Sequence, residues 1–274
     1  MNVAFLTSCM GNRPFGEVVR WAAENGFRAL EIASGHLDLD AIIDDQGNAL
    51  RSLLDTHGVA VSAVAHYSNL TPADPDAKKA AIAQMHKVMD AAALIGAPVL
   101  CAMAGMPQPG KNKEQVIKNE VAGVWRPLCE KAVQKGLKVA FENWYATLLQ
   151  NLPMWRLVFQ EIGAENCGLE FDPSHLYHQG IDYLAAVDEF APKIFHTHAK
   201  DTEVRQHVLR DVGNQAGGWW RYCIPGYGGI DWGQYIGRLR GNGFNGTLSI
   251  EHEDAALGVE EGLLTGKRFL ERYI

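Results

Sequence analysis

The chain is expected to fold as one closed (βα)8 barrel, a TIM barrel occupying residues 1–274 as a single domain. Three observations predict it. Eight short β-rich runs alternate with segments of helical period along the 274 residues, and a βα unit repeated that often at this length closes a parallel barrel rather than opening a doubly wound sheet. Apolar residues make up 47% of the chain, enough for a full core, and no linker divides it. No GxGxxG follows the first run, which removes the usual dinucleotide signal of an open sheet.

The elements follow in order. "VAFLT" (3–7) reads as a first strand, because the N-terminus lacks the basic and long apolar stretches of a signal peptide. "FGEVVRWAAENGF" places Val18, Trp21, Ala22 and Asn25 on one stripe and stops near Gly26. "ALEIA" (29–33) and "VAVSAVAH" (59–66) are the next strands. "DAKKAAIAQMHKVMDAAALIGA" is rich in strong helix formers and stops at Gly96. "PVLCAMA" (98–104), "KVAFEN" (138–143), "CGLEFD" (167–172), "KIFHTHA" (193–199) and "TLSIEH" (247–252) complete the strand set. The last is preceded by "DWGQYIGRLRGNGF", which opens on Asp231, a good N-cap.

One connection is long. About thirty residues separate "HTHAKD" from Asp231, far beyond an ordinary loop. Residues 200–230 are therefore expected to carry a short helix of their own or to overhang the C-terminal mouth, where barrels keep their sites. Within them Trp219, Trp220, Arg221 and Tyr222 suit a lid wall or a packed cap.

Composition excludes some classes. With 25 Lys+Arg against 32 Asp+Glu the net charge is −7, so no basic excess drives association with a nucleic-acid backbone. No apolar run approaches the ~20 residues of a membrane span. The five cysteines, Cys9, Cys101, Cys129, Cys167 and Cys223, are scattered and form no CxxC pair. They read as reduced thiols, which implies a cytoplasmic protein.

The signal for function lies at the strand ends. Barrel interiors are filled by apolar or small side chains, yet the last four runs end in Glu142, Asp172, His198 and Glu251. Alternation aims them the same way. Ala140 and Glu142 share a face, as do Gly168, Glu170 and Asp172, then Ile194, His196, His198 and Lys200, then Thr247, Ser249, Glu251 and Glu253. Three converging carboxylates repel one another and raise one another's pKa; a divalent cation resolves the conflict. Three carboxylates and one imidazole suit Mn²⁺ first, by hardness, with Mg²⁺, Co²⁺ and Zn²⁺ open.

"FEN" (141–143), "FDPSH" (171–175), "HTHAKD" (196–201) and "SIEHED" (249–254) resemble the motifs of the xylose isomerase-like TIM barrels, most closely the sugar phosphate isomerase/epimerase family. The relatives of that family include ketose 3-epimerases, inosose isomerases and dehydratases, and the endonuclease IV type of repair enzyme. The resemblance spans the whole chain. It implies a metal held by Glu142, Asp172, His198 and Glu251, and a substrate contact from His175. The epimerases also carry an Arg six residues beyond the metal His; here that position is Val204, with Arg205 beside it as the nearest candidate. By analogy the family also implies pairing into a homo-oligomer.

The expected chemistry is removal of a proton next to a carbonyl, with Glu142 and Glu251 as ligands and acid/base pair. They come from strands three apart in order, so they can flank a substrate at the mouth. His66, Lys200, Arg205 and Trp220 are candidate substrate contacts. His196, one inward step below His198, and Glu31 are expected to support the site from behind. Glu170 reads as structural and His178 as a bystander. His36, His57, His86 and His207 read as surface residues, and Met85, Met89, Met103 and Met106 as packing. The leading expectation is a metal-dependent isomerase or epimerase of a sugar, keto-sugar or cyclitol. A lyase or dehydratase acting on a keto-sugar, keto-inositol or keto-glycoside is the first alternative. An abasic-site nuclease, with His66 as an added metal histidine, is the second.

Overall fold

The computed structural model describes the backbone of residues 1–274 and every side chain except that of Gln46. Its strands in chain order are β1 (Asn2–Phe5), β2 (Ala29–Ala33), β3 (Ala60–His66), β4 (Val99–Ala102), β5 (Lys138–Glu142), β6 (Cys167–Phe171), β7 (Ile194–Ala199), β8 (Asp201–Val204), β9 (Trp220–Cys223) and β10 (Thr247–Ile250). Eight of them form one parallel sheet in the order β1-β10-β7-β6-β5-β4-β3-β2. A single bridge from Leu6 to Glu31 joins β1 to β2 and closes the ring. The eight predicted runs are these eight strands, with ends moved by one or two residues except for "ALEIA", which is unchanged; β1 starts one residue before its run, and the others are trimmed.

Helices fill the intervals, and their ends follow local chemistry. The helix Pro75–Leu94 starts with the Asp74 side chain accepting from Ala77 N. It is stopped at Gly96, whose φ of 79° is costly for a side-chain-bearing residue. The helix Trp232–Gly241 begins with Asp231 accepting from Gln234 N, as expected.

The core has two unequal parts. The larger packs strand side chains such as Phe5, Ile32, Leu100, Phe141, Phe171 and Ile250 against the helices. The smaller lies inside the barrel and consists of Leu6, Ala63, Ala65, Val99, Cys101 and Ala140. Small residues leave the interior room for polar side chains. Glu31, Glu142, Glu170, His196, His198 and Ser249 are all buried there or at its rim.

The simple alternation expected on β7 is corrected at its start. The β6–β7 register passes from Leu169↔Ile194 to Glu170↔His196, skipping Phe195. Ile194 therefore packs outward with the helix-side core, while His196 faces in. An extra residue on one strand flips the following side chains to the other face. Gly168 makes this irregularity possible, because a Cβ there would collide with the Lys193 carbonyl and the Phe195 ring.

The long connection at 200–230 is not a loop. β8 and β9 form an antiparallel hairpin, with the helix Gln206–Val212 between them. Buried Asp201 ties the return segment down, accepting from Thr202 N (2.8 Å), Gly226 N (2.9 Å), Ile230 N (3.1 Å) and the Trp232 indole (2.9 Å). Asp254 does the same for the end of β9, accepting from Ile224 N at 3.2 Å and Arg221 at 2.7 Å.

Candidate active site

Glu142 closes β5, Asp172 follows β6, His198 lies in β7 and Glu251 follows β10. One ligand atom from each lies within 4.8 Å of the other three. His198 Nδ1 is 3.1 Å from Glu251, 3.4 Å from Glu142 and 3.9 Å from Asp172. His198 Nδ1 and Asp172 Oδ2 are buried and make no hydrogen bond. Buried polar atoms are nearly always hydrogen-bonded; these two have only charged neighbours, Lys200 Nζ at 3.2 Å from Asp172 Oδ2 and Glu251 at 3.1 Å from His198 Nδ1, and both face a common point that would fit a cation. The donor set is three oxygens and one nitrogen, which a hard or borderline divalent ion accepts.

Lys200 enters the same cluster. Its Nζ lies 2.5 Å from Glu251, 3.2 Å from Asp172 and 3.2 Å from Glu253. Burial alone would lower its pKa, but these carboxylates hold it well above the usual lysine value. Glu142 is held well below the usual range. Burial would raise it, but the hydrogen bond with His175, the neighbouring His198 and the charge of Lys200 prevail. His175, in the one-turn helix that follows Pro173, points Nε2 at Glu142 Oε1 (3.1 Å) and Asp172 Oδ2 (3.4 Å).

Beneath this layer lies a second one. His198 Nε2 is 3.2 Å from both Glu31 and Glu170. Glu170 also accepts from Tyr67 at 2.6 Å and meets His196 Nδ1 at 2.9 Å, while His196 Nε2 reaches Ser62 at 3.2 Å. The two buried carboxylates divide. Burial would raise Glu31, but the charge and hydrogen bond of His198 pull it down to about 2. Burial and then the charge of Glu31 raise Glu170 to about 7. His198 would be lowered by burial, but Glu170, Glu251 and Glu31 drive it well above the ordinary histidine value. Carboxylates behind a histidine fix its ring and direct the opposite nitrogen outward.

Above the cluster opens a cavity of about 370 Å³, walled by Tyr67, Trp144, Tyr145 and Tyr222 and floored by Glu142, Glu251, Glu253, His175 and Lys200. Three expected contacts are placed elsewhere. His66 bonds Ser34 at 2.8 Å and faces a separate groove of about 620 Å³ on the rim. Arg205 is partly exposed beside Glu203, 3.7 Å away. Trp220 stacks on His178, ring centroids 4.1 Å apart, outside the cavity wall. Alternation could not place these three, because each lies at or beyond a strand end where the loop backbone sets direction. Conversely Tyr67, Trp144 and Tyr145 were not singled out, while Tyr222, one of the four residues expected to form a lid wall or packed cap, does line the cavity. Glu253 had a signal, since it alternates with Glu251.

The chain belongs to the xylose isomerase-like TIM barrel family, whose model matches residues 19–273. An inosose isomerase of Halalkalibacterium halodurans is 23% identical over 91% of this chain and 87% of its own length. Among solved structures, the IOLI protein with a bound zinc atom is 20% identical with a TM-score of 0.81, covering 100% of this chain and 99% of that one. A probable 3-DHS dehydratase, AsbF from Bacillus anthracis, is 18% identical with a TM-score of 0.80, covering 99% of each. At these identities the two structures establish the fold alone. Among the described residues no helix is long and apolar enough to cross a membrane.

Proposed function

We propose that the chain is a divalent-metal-dependent isomerase or epimerase of a sugar, keto-sugar or cyclitol. The observation that carries this reading is the Glu142–Asp172–His198–Glu251 cluster at the floor of an aromatic-walled cavity. A cation held by those four residues would supply Lewis-acid polarisation of a carbonyl and its neighbouring hydroxyl.

The remaining work falls to the chain's own groups. Glu142 and Glu251 both border the cavity, and an ionised carboxylate there can take the proton from the carbon next to the carbonyl. The other can return it to the same or the neighbouring carbon. Lys200 and His175 are hydrogen-bond donors at the same floor and stabilise charge that develops on substrate oxygen. The aromatic walls suit the apolar face of a sugar or cyclitol ring and keep water from the reactive carbanion. The inosose isomerase relative supports this substrate class.

A lyase on a keto-sugar or keto-inositol is the second reading, and Lys200 favours it. Expelling a β-oxygen requires a proton on the leaving group, and Lys200 is a buried ammonium at the cavity floor. Nuclease action is not favoured: the chain carries a net charge of −7, which offers no basic excess to hold a nucleic-acid backbone.

A mass-resolved screen of keto-sugars and inososes with the Mn²⁺-, Mg²⁺- and Zn²⁺-loaded protein separates the readings. Unchanged product mass means isomerisation, loss of water or of an aglycone means elimination, and nicking of an abasic oligonucleotide means repair. Glu142→Gln and Glu251→Gln should each lower turnover about 10³-fold while the protein stays folded. Full solvent-deuterium exchange into substrate by either variant would remove that residue from the mechanism.

A further inference from the structure

A groove of about 620 Å³ opens on the rim beside the cavity of about 370 Å³ that covers the cluster. It is lined by Ser34–Asp40, the segment after β2, by His66 at the end of β3, and by Gln84 and Lys87 of the helix Pro75–Leu94. His66 and Tyr67 are consecutive, yet one lines the groove and the other walls the cavity. Consecutive Cα atoms lie about 3.8 Å apart, so the two spaces meet across a single step of backbone. The groove lining is rich in hydrogen-bonding groups. His66 Nδ1 is fixed by the Ser34 hydroxyl at 2.8 Å, and His36 Nε2 donates to the Arg13 carbonyl at 3.0 Å. The opposite nitrogens, His66 Nε2 and His36 Nδ1, are buried and make no hydrogen bond. Such atoms are nearly always partnered, and a ligand in the groove supplies partners. Gln84 adds an exposed amide that both donates and accepts. The lining does not recruit an anion: Lys87 is held by Asp40 at 2.8 Å, and Asp38 adds a second carboxylate.

We propose that the groove is a second sugar subsite: it binds a further polyhydroxylated ring of a substrate whose reacting ring lies over the cluster. A neutral ring rich in hydroxyls both donates and accepts, which matches two imidazoles, a hydroxyl and an amide with no free cation among them. The substrate is thereby a disaccharide-sized keto-glycoside and not a free monosaccharide. His66, at the junction, meets the second ring and not the reacting one. This inference rests on the isomerase or lyase reading for the reacting ring; occupancy of the groove does not depend on turnover.

The first arm of the test is binding of unreactive sugars by the full, zinc-loaded chain labelled with 15N. The probes are methyl β-glucoside, cellobiose, maltose and trehalose. At least one disaccharide should shift the amides of residues 34–40 and 84–87 together with those of 144–145 at the cavity. Methyl β-glucoside should shift the cavity set alone. If no disaccharide shifts the groove set, or if methyl β-glucoside shifts it equally, the proposal is overturned. The second arm compares a keto-hexose with the disaccharide that carries the same keto ring. Gln84→Trp fills the groove from an exposed helix position, and His66→Ala removes the half-buried imidazole. Each should lower kcat/KM for the disaccharide relative to the keto-hexose about 10-fold, the loss of about one or two hydrogen bonds. An unchanged ratio overturns the subsite. Binding by the parent protein decides the groove even if a variant misfolds. If no keto compound turns over, the isomerase or lyase reading fails while the first arm still decides the groove.

Discussion

His178 shows how one residue acquires a property from its surroundings. It stacks on Trp220 with the ring planes 2° apart, and burial, followed by the charge of His175, lowers its pKa to about 4. An unfolded chain takes up that proton near pH 6.5, whereas the folded chain resists until near 4. The contribution to stability is therefore complete above the unfolded value and is lost as pH falls towards the folded one. His178→Phe preserves the stack and removes the proton. The drop in Tm between about pH 7 and about pH 5 should be smaller in the variant by calorimetry; equal acid sensitivity would rule the residue out. The sequence marked His178 as a bystander, because nothing local reveals a stacking partner 42 positions away. The strand-end residues Glu142, Asp172, His198 and Glu251 were legible for the opposite reason. Charge at the end of a barrel strand is costly unless something offsets it, so its recurrence on four successive strands is itself a signal.

At the scale of elements, the hairpin and the return segment after it depend on Asp201. It is fully buried and accepts from three backbone amides and one indole. Asp201→Ala should destabilise the protein by roughly 3–5 kcal/mol, since each buried donor left unpaired costs on the order of 1–3 kcal/mol and such losses do not add fully. Urea denaturation measures the total, and hydrogen exchange should rise first at residues 224–232; uniform loss of protection would assign the effect elsewhere. Alternation and helix stops placed the eight barrel strands with only end residues in error. They did not give the hairpin, because β8 and β9 are short and pair across fifteen intervening positions, 205 to 219. Nor did they give the skipped Phe195, which depends on the absence of a side chain at Gly168 on the neighbouring strand.

For the whole molecule, the barrel interior and its mouth concentrate Glu31, Glu142, Glu170, Asp172 and Glu251 around three histidines and one lysine. A divalent ion that binds only the folded chain should stabilise it by about 2.7 kcal/mol at a hundred times its Kd. That raises Tm by about 5 °C for a domain of 274 residues, at about 2.1 cal/mol/K of unfolding entropy per residue. Scanning calorimetry with EDTA and then with excess Zn²⁺ or Mn²⁺ checks this, and Asp172→Asn should abolish the gain; an unchanged Tm would argue against the cation. The sequence alone determined the repeating βα plan and the clustering of charged residues at the ends of the last barrel strands, a cluster that could hold a cation, because these follow from periodicity and from the cost of burying like charges. Only the tertiary structure decided which loop residues wall the cavity and that His66, Arg205 and Trp220 lie outside it. Those outcomes depend on where the chain turns after each strand, and that direction is set by contacts between residues far apart in sequence.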